Sequence, residues 1–161
     1  MTDRHKEIDF IRALLREQST LALATTDELG GPWVTPLFYL VDDDLTLFWL
    51  SSKSSLHSIN IKRSPRAAIS VYRQAESWKD IQGVQMRGSI TVIADKRRRS
   101  HLIRTYCRRF QLGAVFKLAI SRCDLFAFRP EFARYIDNSR MFGTRTELKR
   151  DVLEKWTALT P

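Results

Sequence analysis

Cysteine is scarce in this chain. Its two cysteines, Cys107 and Cys123, form no CxxC pair and no disulfide framework, so neither a stapled secreted scaffold nor a cysteine metal site is expected. Glycine and proline are few as well, six and five in 161 residues. No Pro/Gly/Ser-rich linker, low-complexity tract or internal repeat divides the chain, which predicts one domain over residues 1–161. No apolar run approaches the roughly 20 residues a membrane-spanning helix needs. The opening MTDRHKEIDFIRALLREQ is charged and amphipathic, without the apolar centre of a secretory signal. A cytoplasmic protein with no membrane partner is expected. There is no GxGxxG dinucleotide fingerprint, so a nicotinamide would bind only transiently. Acids are the scarce charge, 18 against 27 Lys and Arg, for a net charge of +9.

What is present describes a packed domain. Hydrophobic residues make up 43% of the chain, enough for a real core. Ile8, Ile11, Leu14 and Leu15 fall on one face of a 3.6-residue period, which predicts a helix over 3–16, capped by Thr2 or Asp3. TLALATT (20–26), WVTPLFYLV (33–41), LTLFWL (45–50), 67–72 and QGVQMRGSITVI (82–93) read as strands joined by turns. Pro36 inside the second implies an edge, a bulge or a strand whose missing donor faces a ligand. Gly83 and Gly88 suggest bulges in the fifth. Residues 123–137 give a sixth strand and a seventh, broken near Pro130. Helices are expected after the serines at 51–55, over 95–110, over 111–118 and, weakly, over 146–158. Consecutive strands joined by tight turns imply antiparallel pairing. The expected fold is α+β: a six- to seven-stranded antiparallel barrel with peripheral helices.

Four features carry chemistry. SSKSSLHSIN (51–60) places hydroxyls, Lys53 and His57 at a strand end and a helix start, where free N–H groups and the helix dipole favour a phosphate. A serine-rich capped turn is the plain alternative. His57 would serve a phosphate best when protonated. Pro36, Phe38 and Tyr39 offer an apolar strand to a flat ring, or to the core. Gln82 carries both donor and acceptor beside Gly83, as recognition of an imide edge requires, although a bulge explains Gly83 equally well. YIDNSRMFG (135–143) is a polar turn with an Asx motif. Separately, 95–109 holds seven basic residues against one acid, six of the nine net charges.

In this order and spacing, these segments resemble the pyridoxamine 5′-phosphate oxidase-like family, the FMN-binding split barrels, from about Glu17 to Arg145. The resemblance implies a split β-barrel and a flavin as cofactor. It lays the backbone of Val34, Thr35, Pro36, Leu37, Phe38 and Tyr39 under the flavin ring. Leu50 and Ser51 would meet the ribityl chain or phosphate. Ser52, Lys53, Ser55 and His57 would bind the phosphate, and Gln82 with Gly83 would lie beside the ring. It also implies a homodimer with FMN at the subunit interface. The chain departs from the oxidases themselves. Val34 and Tyr39 stand where they carry arginine and lysine, and Leu56 and His57 replace their adjacent arginine and lysine. Nothing around Trp156 matches their C-terminal substrate motif. The DNS-x-x-FG ending is closer to a short branch of the superfamily.

Three functions follow as expectations. The first is an FMN oxidoreductase acting on a small or anionic molecule, with no catalytic side chain identifiable. The second is a non-enzymatic carrier of FMN, haem or a deazaflavin, with His57 or His101 as axial ligands for haem. The third is a nucleic-acid module built on helix 95–110. No metal ligand set is expected.

Overall fold

The structure is a computed structural model that describes residues 3–113, 116–141 and 143–149. Helix α1 (Asp3–Glu17) leads into strands β1 (Thr20–Thr26), β2 (Pro32–Phe38), β3 (Leu40–Val41) and β4 (Leu47–Ser52). Helix α2 (Leu56–Arg63) follows, then β5 (Arg66–Tyr72), a single 3-10 turn (Trp78–Asp80) and β6 (Gln82–Val92). Helices α3 (Lys96–Arg109) and α4 (Phe116–Ser121) precede β7 (Cys123–Asp137) and β8 (Arg145–Lys149).

All strand pairs are antiparallel, in the order β2-β1-β5-β6-β7-β4-β3, with β8 beside β7. The two ends of this order, β2 and β3, are consecutive in the chain with only Tyr39 between them. The sheet therefore curls until its ends meet, which is the expected α+β split barrel. Alternation along the strands sorts the side chains. Leu21 and Leu23, Ile69 and Val71, Val84 and Met86, Leu47 and Trp49, and Phe126 and Phe128 point inward into one buried cluster. Ile8, Ile11, Leu14 and Leu15 of α1 complete it, as their period predicts. The side chains of the cap candidates Thr2 and Asp3 lie outside the described residues. A second cluster forms where Leu102, Tyr106 and Phe110 of α3 cover Leu40, Phe48, Leu125 and Ala127. Asp95 caps α3 by accepting from the Arg98 N–H at 2.7 Å.

Some boundaries differ from expectation. The strand read over 33–41 is two strands, because Tyr39 turns inward and donates its hydroxyl to the Leu15 carbonyl at 2.7 Å. Pro32 and Pro36 are tolerated because β2 ends the strand order among the described residues. Gly83 sits in regular register opposite Tyr72 and Ile136 and is no bulge. The register shift lies between Arg87 and Gly88, opposite Phe132 and Pro130. Strand β7 runs unbroken past Pro130, which marks this shift. Residues 145–149 are strand rather than helix, since Leu148 is buried against the barrel while β8 pairs with β7. The rest of the expected C-terminal helix lies outside the described residues. The short helix expected over 111–118 is α4, displaced because Gln111, at φ +52, ends α3.

Candidate functional site

Strand β4 ends at Ser52, and four residues later α2 begins. The turn between them is a hydroxyl network. Ser51 Oγ lies 2.6 Å from His57 Nε2 and 3.0 Å from Ser55 Oγ. Ser55 Oγ donates to the Ser52 carbonyl at 2.8 Å and lies 2.8 Å from Ser58 Oγ. This occupies the N-cap residue: Ser55 makes no side-chain cap on α2, and no acid stands in the first turn. The amides of a helix start are left without a side-chain acceptor. Ser52, Lys53 and Ser54 are exposed around them. Lys53 Nζ stands 3.7 Å from Asp124, a loose pair with the lysine 60% exposed. Asn60 donates to Thr25 Oγ1 at 3.1 Å, which ties α2 to β1.

His57 differs from expectation. It is buried, and burial lowers its pKa. Its Nε2 lies 2.6 Å from Ser51 Oγ and 3.2 Å from Ser55 Oγ. Because the folded pKa lies below the ordinary 6.5, stability is fully present above that value. As pH falls, the unfolded chain protonates first, so stability is lost below it and through the depressed folded value. Thermal melts from about pH 7.5 to 5 should show this loss, and His57→Gln should flatten it. An equal slope in the variant would assign the loss to other groups.

Strand β2 presents Val34, Pro36 and Phe38 outward, while Thr35 and Leu37 are half-buried. Tyr39 is fully buried, and its N–H is taken by the Ser19 carbonyl at 3.2 Å. Leu50 is half-buried against the α3 cluster. Gln82 is brought to a different neighbourhood. Its Nε2 donates to Asp137 Oδ1 at 3.0 Å, and its Oε1 accepts from Arg73 at 2.5 Å. Burial raises the Asp137 pKa, but hydrogen bonds from Ser139 and Gln82 outweigh it and hold the carboxyl below its usual range. Gly83 is buried with Tyr72 Cβ 3.0 Å from where its own Cβ would stand, which explains the glycine by packing. Asn138 donates to the Trp78 carbonyl at 2.9 Å and accepts from the Gly143 N–H at 3.2 Å, so the DNS segment closes a turn.

A cavity of about 540 Å³ opens on the outer face of the sheet. Its wall includes Ala22, Ala24, Val34, Ala68, Arg87 and Phe132. Of the expected site residues only Val34 lines it. The others were legible in principle: Ala22 with Ala24, Ala68 with Ser70, and Gln85 with Arg87 are outward positions of alternating strands that carry small or polar side chains.

The family model for pyridoxamine 5′-phosphate oxidase matches residues 8–152. The chain belongs to this family. A UPF0306 protein of Yersinia pseudotuberculosis is 27% identical to this family member over 145 residues, 89% of this chain and 94% of the relative. A haem-binding protein from Mycobacterium smegmatis superposes with a TM-score of 0.73 at 16% identity, covering 96% of this chain and 61% of that one. HutZ, the haem storage protein from Vibrio cholerae, gives 0.65 at 21% identity, covering 76% and 89%. At these identities the structural likeness speaks for the split-barrel fold. Among the described residues no cluster of His, Cys, Asp and Glu could hold a metal ion. No described helix is long and apolar enough to cross a membrane.

Proposed function

We propose that this member of the pyridoxamine 5′-phosphate oxidase family binds FMN and acts as a flavin oxidoreductase. The observation that carries the reading is the uncapped start of α2 beside exposed Ser52, Lys53 and Ser54. A phosphate fits there. It would accept from the first-turn amides and from the serine hydroxyls, and Lys53 would balance its charge. Ser51, Ser55 and buried His57 hold the turn in shape from behind. Bound flavin supplies hydride and electron transfer, chemistry that no side chain of this chain offers. The outer side of β2, with Val34 at 61% exposure, offers an apolar support for a ring. Gln82 is committed to Arg73 and Asp137, so its role is to hold the β6 and β7 ends together.

The reading includes a homodimer. Val34, Ala22, Ala24, Ala68 and Phe132 form an outward sheet surface of small and apolar residues around the cavity. Such a surface is suited to a second copy, which would complete a flavin site at the interface.

Flavin fluorescence titration of the full chain tests the proposal. FMN is expected to bind saturably and more tightly than riboflavin, which lacks the phosphate. Lys53→Ala should weaken FMN about tenfold, a change of about 1.4 kcal/mol, and leave riboflavin unchanged. Folded protein that binds neither flavin would sink the reading. Haem is disfavoured as the ligand by the two histidines whose side chains are described: His57 Nε2 is held at 2.6 Å by Ser51, and His101 lies on the exposed side of α3. A Soret band from added haem, lost in His101→Ala, would reverse that preference.

A further inference from the structure

Helix α3 carries a charged surface that the flavin reading does not use. Its apolar side packs on β3, β4 and the first half of β7. The cavity lies elsewhere, on β1, β2, β5, β6 and the second half of β7. Some of its arginines are committed to the fold. Arg98 is 3.9 Å from Asp42, Arg99 donates to the Cys123 carbonyl, and Arg109 donates to the carbonyls of Arg16 and Gln18. Arg97, Arg104 and Arg108 are exposed and make no ion pair or hydrogen bond through their side chains among the described residues. With exposed His101 they recur at intervals of four, three and four residues. This is one line down the helix, about 16 Å long at 1.5 Å per residue.

We infer that this line binds the phosphodiester backbone of double-stranded nucleic acid without reading its sequence. Repeating positive charge on a rigid rod matches repeating phosphates, and the guanidinium fork suits phosphate oxygens. The exposed face holds no apolar side chain to enter a lipid surface, which disfavours a membrane. Tyr106 and Phe110 point into the α3 cluster, so no aromatic platform offers stacking to a single strand.

Fluorescence anisotropy with a labelled duplex of about 20 base pairs tests this on the full chain. About four phosphate contacts predict a slope of log K against log salt near −3 to −4. Affinity should fall on the order of a hundredfold between about 50 and 200 mM salt. The triple variant Arg97→Gln, Arg104→Gln, Arg108→Gln should lose at least tenfold at low salt. A control that removes the same charge elsewhere, Lys6→Gln, Lys62→Gln, Lys149→Gln, should stay within about threefold. FMN titration of both variants should be unchanged, which separates this proposal from the flavin reading. Three outcomes overturn it: no duplex binding at low salt, equal losses in the two variants, or competition by polyglutamate or anionic vesicles as effective as by unlabelled duplex.

Discussion

Gly88→Ala is expected to lower the melting temperature by about 6–12 °C, the equivalent of about 3 kcal/mol of overpacking in a chain of this length. A Cβ at this position would stand 2.1 Å from the Arg129 carbonyl oxygen and 2.9 Å from the ring of Phe128. The oxygen belongs to backbone in the middle of β7, with β6 on one side and β4 and β8 on the other. Arg129 is paired with Ser89 of β6, and the stretches of β7 on either side of it are held by β4 and β8, so it has little room to retreat. The same place is the register shift, and Arg87 and Phe132 on its near side both line the cavity. The strain would therefore reach the outward face as well as the core. Gly113→Ala is the control, since nothing among the described residues lies within 4 Å of its would-be Cβ, and it should melt with the wild type. Differential scanning calorimetry on the three chains decides the matter. A Gly88→Ala chain within about 2 °C of wild type would refute the close approach.

If the proposed homodimer uses this face, Ala24→Arg is expected to convert it into a monomer. Ala24 points away from the core, between buried Leu23 and Thr25, and lines the cavity beside Arg87 and Arg134. An arginine there adds a bulky cation to a face that already carries Arg87 and a Glu147-paired Arg134. In a two-fold dimer it does so twice, once from each copy. Stable interfaces bury roughly 800 Å² per partner, and a desolvated like charge at their centre costs several kcal/mol. Dissociation should strengthen by at least a hundredfold. Sedimentation equilibrium should give twice 18.8 kDa for the wild type and 18.8 kDa for the variant. Melting in dilute monomer should be little changed, because no core contact is touched. If FMN sits between copies, its affinity should fall in step with dimerisation. A variant that stays dimeric would place the interface on another face.

The period of Ile8, Ile11, Leu14 and Leu15, the alternation of β1 and β6, and the Asp95 cap are local patterns, and local physics reproduces them in the structure. The order of hydroxyls, Lys53 and a helix start at 51–57 was legible for the same reason: a strand end followed by a helix start is a short-range event. Nothing short-range could tell that Ser55 would spend its hydroxyl on Ser51, Ser52, Ser58 and His57 instead of capping α2. Nor could it tell that His57 would be buried, with its pKa lowered by that burial. The role of Gln82 depends on Arg73, nine residues away, and on Asp137, 55 residues away.

Composition and periodicity were sufficient for an α+β antiparallel barrel with a basic helix on its outside. Both depend on residues within a few turns or strands of one another. Which small and polar residues share the cavity wall, which glycine cannot carry a side chain, and which arginines of α3 remain available to a partner were settled by the curl of the sheet. That curl lays β7 between β4 and β6, and brings β1 against β5. Those contacts join residues far apart in the chain, and they arise only when inward side chains from eight strands must fill one interior.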